Sequence, residues 1–331
     1  MAGNREQGTG SHCSRFPVPG SRSRPSPQSP VPMKRLLLHL DTSPAPSVFD
    51  RVVAYDAGAD EVMSYGGVTA DSARDLVHGA MFTRGPKDLH NTAIFIGGAD
   101  MAAGERLLAA VQKTMFGPLR VSVMLDSNGS NTTAVAAVAK LAQTIGNVKG
   151  RRAVVVAGTG PVGTRAAGLL ARDGAHVTIT TRHADEAKHV TDAIKARFGG
   201  AVESIVVRDP SHVAAALGDA ELLLNAGPAG VQLVPRDAWM NRPKLRVVAD
   251  LNAVPPLGIE GVEVTDAGTD RSGAKVFGAL GVGNFKMKVH KRCIAKLFER
   301  NDLVLDAESI GDVARELVHS VPQPSSVPPP V

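Results

Sequence analysis

Cysteine is nearly missing from this chain, with only Cys13 and Cys293 in 331 residues. That excludes a disulfide framework and a cysteine-based metal site, and it fits a reducing cytoplasm. Metal-ligand spacing is missing as well. The ten histidines are scattered, and none forms H-x-x-x-H or a His/carboxylate cluster, so no metal site is expected. No apolar run reaches the length of a membrane span, so no membrane partner is expected. G-x-S-x-G and a Walker lysine are both lacking, which leaves hydrolase and kinase readings without support. Excess charge is also small where it matters. The net charge is +5, but Arg5, Arg15, Arg22 and Arg24 against Glu6 place +3 of it within residues 1–32. The body keeps about +2, no basis for nucleic-acid binding.

What is present centres on Ala153 to Gly163, AVVVAGTGPVG. Small and β-branched apolar residues form a buried-strand run that breaks into Gly158, Gly160 and Gly163 in the spacing G-x-G-x-x-G. A helical pattern follows from Thr164 to Arg172, and a second strand, AHVTIT, arrives at Ala175 to Thr180. In a dinucleotide fold the first glycine allows the tight turn and the second admits the pyrophosphate. The third lets helix pack on strand. Gly158, Thr159, Gly160, Pro161, Val162 and Gly163 are therefore candidate cofactor contacts. Sites for NAD usually end the second strand in Asp or Glu, which binds the ribose hydroxyls. Here Thr180, Thr181 and Arg182 stand there, a pattern that favours a 2′-phosphate and hence NADP, with NAD as the alternative. The plainer reading of Arg182 is a solvated residue opening a loop.

The length allows two domains around a core that needs no covalent staples. Residues 1–32 are rich in Ser, Pro, Arg and Gly and lack a signal-like apolar core, so they read as a disordered leader; 321–331 read as a disordered tail. Met33 directly precedes a strand (KRLLLHLD), so translation is expected to begin there, and a native mass including upstream residues would exclude this. From Lys34 to about Arg120, RLLLHLD, TAIFIGG and RVSVMLD alternate with helices over Ser47–Ala57, Thr69–Ala80 and Ala99–Met115, the pattern of a parallel sheet covered on both faces. A helix over Thr132–Ile145 leads to the glycine motif. AVESIVV, AELLLNAG and LRVVADL extend the dinucleotide domain. A glycine-rich turn (Gly278, Gly281, Gly283), a helix from about Phe285 to Arg300 and a last helix near Ala307 to His319 follow.

Ligands in such sheets bind beyond the carboxyl ends of strands. The loops there are Asp41 to Pro44 with Asp50 just inside the next helix, Thr83 to Lys87, Asp100, and Ser127 to Thr133. The last is dense in short polar side chains. Capping by Ser130 or Asn131 would explain part of that density. Ala226, Gly227 and Asn252 end later strands, where dinucleotide folds face the nicotinamide.

Seven runs, DTSPAPSVFD (Asp41–Asp50), YGGVT (Tyr65–Thr69), FTRGPKD (Phe82–Asp88), MLDSNGSNTTA (Met124–Ala134), AGTGPVG, ADLNAVPPLGIEG (Ala249–Gly261) and FGALGVGNFKMKVHKRCIAKLFE (Phe277–Glu299), together resemble the bacterial NAD(P)-dependent methylene-tetrahydromethanopterin dehydrogenases. The resemblance spans Met33 to about Leu317. It implies an α/β fold of two domains: a parallel-sheet pterin domain (33–146 with about 285–320) and a Rossmann NADP domain (147–284), with C-terminal helices packing back. It further implies a homo-oligomer, a trimer being one form, and reversible hydride transfer between a reduced pterin and the nicotinamide, without metal, flavin or covalent intermediate. Lys286 matches the lysine such enzymes place at the reacting end of the substrate. A positioning role is expected, because a cation beside a developing cation does not help hydride loss; a solvated helix lysine is the plainer reading. Asp50, Arg84, Lys87, Ser127, Asn128, Asn131 and Thr132 are the expected pterin contacts, although Asp50 also suits a helix start. Methylene-tetrahydrofolate is the alternative carrier, and a non-catalytic NADP sensor the alternative outside enzymes.

Overall fold

The computed structural model describes residues 1–3 and 32–320, so the leader (4–31) and tail (321–331) expectations lie outside the described residues. From Lys34 onward the chain forms one compact unit. It opens with β1 (Leu36–Asp41), α1 (Val48–Asp56), β2 (Glu61–Tyr65), α2 (Ala73–Phe82), β3 (Thr92–Gly97), α3 (Met101–Thr114), β4 (Ser122–Leu125) and α4 (Ser130–Ile145). The second half runs β5 (Arg152–Val156), α5 (Pro161–Arg172), β6 (His176–Thr181), α6 (Ala184–Phe198), β7 (Ala201–Val206), α7 (Val213–Leu217), β8 (Leu222–Asn225), α8 (Arg236–Trp239), β9 (Val247–Asp250), β10 (Ala267–Arg271) and β11 (Ala274–Phe277). Helix α9 (Ala279–Lys296), β12 (Val304–Leu305) and α10 (Ala307–Ser320) close it.

Two sheets result. The first has the order β12-β4-β3-β1-β2 and is parallel throughout. The second has the order β10-β11-β9-β8-β5-β6-β7 and is parallel except for the β10–β11 pair. The expected α/β class is what the chain adopts. All six residues of β3 and all four of β4 are buried, as strands covered on both faces must be, and that is why they read as unbroken apolar runs. Four strands lie where the sequence reading expects none. β2 is an edge with one buried residue (EVMSY), β10 is a polar edge (AGTDR), β11 is a four-residue strand interrupted by a lysine (AKVF), and β12 is two residues long. None carries the apolar run that announced the others.

One apolar core fills the space between the sheets. It joins Leu37, Phe95 and Met124 of the first sheet to Val155, Ile179 and Leu224 of the second through α4, α5, α9 and α10. Helices α2 and α3 bury the outer face of the first sheet, and α7 and α8 that of the second.

A difference at α9 shapes the site. The sequence places a glycine-rich turn before a helix at Phe285, yet the helix already begins at Ala279 and contains Gly281 and Gly283. Gly278 and Gly281 lack side chains for packing reasons: a Cβ there would run into the carbonyl oxygens of Glu263 and Asp266. Glycine marks close approach here, not a break in the helix. The earlier start places Lys286 in the second turn of the helix, which is firmly built.

Candidate active site

Strand register brings the loops of the first sheet together. Leu40 pairs with Ile96 and Ile96 with Leu125, so β1, β3 and β4 end level and their following loops stand side by side. Asp41, at the end of β1, accepts from Ser43 N (2.7 Å) and Ser47 N (3.0 Å), which folds the next loop back on itself. Ser47 then caps α1 by accepting from Asp50 N at 3.2 Å. From β4, Asn128 N donates to Gly98 O at 2.6 Å and locks that loop to the one after β3. Asn128 and Gly129 both have left-handed backbones (φ 54° and 59°). A Cβ at Gly129 would also lie 2.7 Å from Lys286 Nζ, which could move aside, so it is the backbone that favours glycine here. That ammonium, arriving from α9, also lies 5.4 Å from the ring centre of Phe49. A cleft of about 460 Å³ is thereby lined by Asp41, Asp50, Phe49, Asn128, Gly129 and Lys286.

Asp126 lies beneath this cleft, fully buried, and sequence reasoning did not single it out. Its carboxylate accepts from Thr132 N (2.9 Å) and Thr132 Oγ1 (2.5 Å), capping α4 in place of Ser130 or Asn131, while Gly129 occupies the cap position itself. A strand-end Asp before Ser-Asn-Gly was the available signal. Burial raises its carboxyl to about 6, against the pull of Lys286 and the Thr132 bonds. Burial likewise raises Asp50, with the Ser47 hydroxyl, His39 and Lys286 opposing. Two buried imidazoles stand nearby. Burial lowers His39, although Asp50 and Asp41 push the other way. His290 falls to about 3 through burial, with the Lys286 charge adding. His290 Nδ1 lies 4.0 Å from Asp126 Oδ2, beyond hydrogen-bond reach, and neither ring nitrogen has a hydrogen-bond partner among the described residues. The neutral ring stacks on Phe95 instead, with centres 5.5 Å apart. His/carboxylate neighbours thus exist in space, though no sequence spacing announced them.

A second cleft, of about 720 Å³, opens at the glycine motif. Thr159, Gly160, Pro161, Val162, Ala226 and Gly227 line it, as do Thr181, Arg182 and Asn128. None of the three fingerprint glycines needs a positive φ; the left-handed residue of the turn is Ala157 (φ 53°). Gly158 and Gly163 serve packing: a Cβ at 158 would meet Ile179 Cβ at 2.6 Å, and one at 163 would meet Gly158 Cα at 2.7 Å. Around a Cβ at Gly160 the nearest atom is Ala157 O, at 3.9 Å. Open space beside Gly160, at the N-terminus of α5, suits a pyrophosphate.

Beyond β6 the expected trio is reduced. Thr180 Oγ1 accepts from Ala157 N (3.0 Å), and Thr181 Oγ1 accepts from His183 N (3.1 Å), so both hydroxyls are engaged by backbone. Arg182 has no protein partner among the described residues. A second unpartnered guanidinium, Arg208, lines the same cleft from the loop after β7, which is tied to β6 by Val207 N donating to Thr181 O (2.8 Å). Sequence reasoning missed it, because β7 announces nothing about its exit loop.

Several expected contacts lie elsewhere. Arg84 donates to Asn91 O (2.6 Å), Thr92 Oγ1 (3.1 Å) and Lys34 O (2.9 Å), at the amino-terminal edge of the first sheet, opposite the cleft. Lys87 stands on that same edge, near Arg120 and Asp302. Ser127, Asn131 and Thr132 are fully buried. Ser127 Oγ donates to Gly97 O (2.9 Å), and Asn131 Nδ2 donates to Leu125 O (2.5 Å). They build the loop and do not face the cleft. Asn252 Oδ1 accepts from Val254 N (2.9 Å) and Gly230 N (3.3 Å), and its Nδ2 donates to the carbonyls of Pro228 and Pro256 (3.3 Å each). It fastens loops beside the second cleft and does not line it. Asp50, Asn128 and Lys286 are the expected residues that the fold does bring together.

Residues 48–128 match the family model described as the N-terminal part of methylene-tetrahydromethanopterin dehydrogenase. Over 285 residues the chain is 50% identical to "Bifunctional protein MdtA" of Methylorubrum extorquens, covering 86% of this chain and 99% of that protein. It is 33% identical over 295 residues to the NAD(P)-dependent methylenetetrahydromethanopterin dehydrogenase of the same organism, again covering 86% and 99%. A shorter likeness, 32% over 124 residues, links it to shikimate dehydrogenase (NADP(+)) of Halorubrum lacusprofundi, covering 38% of this chain and 42% of that one. Identity at this level along nearly the whole of two relatives places the chain in the methylene-tetrahydromethanopterin dehydrogenase family.

Proposed function

We propose that this chain is an oxidoreductase transferring hydride reversibly from the methylene group of methylene-tetrahydromethanopterin to NADP, giving methenyl-tetrahydromethanopterin, within one-carbon metabolism and formaldehyde oxidation. One observation carries the reading: Asn128 lines both clefts, so a carrier beside Asp50 and Lys286 and a dinucleotide on the glycine loop would meet across it. Residues 33–146, with about 285–320, would serve the pterin and 147–284 the dinucleotide.

When bound, NADP supplies the hydride acceptor. Gly160 and the start of α5 would hold its pyrophosphate, and Arg182 with Arg208 its 2′-phosphate. Hydride loss leaves the carrier cationic, with charge shared by the two nitrogens flanking the methylene carbon. Asp50 and Asp126 supply negative charge around Lys286 and offset its field, so the site tolerates that product. Lys286 and Asn128 then act by fixing the carrier's orientation.

Spectroscopic assay of reduced nicotinamide, with methylene-tetrahydromethanopterin or methylene-tetrahydrofolate and with NADP or NAD, tests the proposal. Turnover with the methanopterin carrier and NADP is expected. Turnover with folate alone would move the substrate, and NADP binding without turnover on either carrier would make the chain a sensor.

Among the described residues no helix is long and apolar enough to cross a membrane. The scarcity of cysteine supports a cytoplasmic setting, which fractionation of the native host would check. An exposed apolar stripe on α1, Val48, Val52 and Tyr55, supports self-association as a homo-oligomer such as a trimer, and a one-subunit mass by light scattering would refute it.

A further inference from the structure

Arg165, on the second turn of α5, is 6% exposed although it is a guanidinium. It makes three kinds of contact in three directions. Nη1 donates to Pro161 O (2.9 Å), the first carbonyl of its own helix and part of the lining of the dinucleotide cleft. Nε donates to Asn131 Oδ1 (2.6 Å) on α4. Nη2 donates to Glu105 Oε1 (2.6 Å) on α3. Asn131 carries the connection onward, since its Nδ2 donates to Leu125 O, one residue before Asp126.

We propose that Arg165 is a positioning residue for hydride transfer, its planar fork holding the glycine loop and the Asp126–Thr132 loop at one fixed separation. The inference rests on reading the two clefts as acceptor and donor sites. Glu105 gives the charge an ion-pair partner, one it shares with a second cation, since Arg197 Nη1 donates to the same oxygen at 2.8 Å and is paired further with Glu308. An ion pair therefore does not explain why the other two arms of the fork reach one anchor from each loop. A lysine could keep the ion pair but could not span three divergent acceptors. Fixed separation matters because hydride passes between carbons held about 3–3.5 Å apart, and a displacement of about 1 Å costs roughly 10²-fold in rate.

The test compares the full-length protein with Arg165→Lys and Arg165→Met. It measures kcat, both Michaelis constants, NADP affinity by titration calorimetry, and the isotope effect with a methylene-deuterated carrier. The expected result is a kcat lowered by about 10²-fold, NADP affinity within about threefold of the parent, and a larger isotope effect as hydride transfer becomes limiting. Arg197→Ala, which removes only the outer ion pairs, should turn over at close to the parent rate. A folded lysine or methionine variant with kcat within about twofold of the parent would overturn the proposal. So would affinity falling in step with kcat, or an equal loss in Arg197→Ala. If Arg165→Met fails to fold, Arg165→Lys decides. A parent protein that neither binds NADP nor turns over would instead refute the functional reading beneath it.

Discussion

Replacing His290 by Leu should stabilise the protein more in acid than at alkaline pH. His290 is buried, its ring nitrogens lack partners, and burial holds it near 3 from an ordinary 6.5. Below pH 6.5 the unfolded chain binds a proton at this site that the folded chain refuses. Stability from the neutral ring is thus complete above that value and is lost as pH falls toward 3. At about 1.36 kcal/mol per unit, the loss reaches roughly 2 kcal/mol by about pH 5. Asp126 works in the opposite direction. Raised from 3.8 to about 6, it costs stability when ionised, and the protein regains this as pH falls through about 6. Asp126 is present in parent and variant alike, and any packing change made by Leu is the same at each pH, so both largely cancel in the difference. Urea unfolding at about pH 8 and pH 5 should find the variant gaining about 2 kcal/mol on the parent between the two. A difference independent of pH would refute the lowered value, and one that grows toward pH 8 would show that His290 is protonated and paired with Asp126 across the 4.0 Å gap.

Two further outcomes bear on the clefts. Arg182→Ala removes a guanidinium that no protein group uses, so the NADP Michaelis constant should rise about tenfold or more with NAD nearly unaffected, and equal loss with both would contradict the 2′-phosphate role. Lys286→Ala should lower kcat by about 10²-fold while NADP affinity measured by fluorescence is kept, and unchanged turnover would remove the residue from the reaction.

The glycine fingerprint was legible because strand, turn and helix each carry a local signature, and β1, β3 and β4 were legible because strands buried on both faces are apolar without interruption. Side-chain direction was not. In Ser127–Thr132 the sequence shows polar residues but not which of them the loop consumes in building itself. Only Asn128, of the four expected contacts there, reaches a cleft. Arg84 failed for a topological reason: its loop precedes β3, and loops that enter a parallel sheet lie at the edge opposite those that leave it. Asp126 carried a local signal, a strand-end Asp six residues before the Thr132 it caps, whereas Arg165 was invisible because its role depends on distant neighbours, on Glu105 across 60 positions.

The apolar core that continues from one sheet to the other limits how the enzyme can breathe. In many two-lobed enzymes the cleft gapes when the lobes swing about a thin, wet seam. Here a swing would have to part α4 from α5 and β9, and α10 from α5, exposing buried apolar surface at every step. The expectation is that ligands exchange through loops at the rim of the two clefts, such as 41–47 and 226–233, over a frame that stays shut. X-ray scattering profiles recorded with and without NADP should superpose, and a clear change in radius of gyration would show that the frame itself opens.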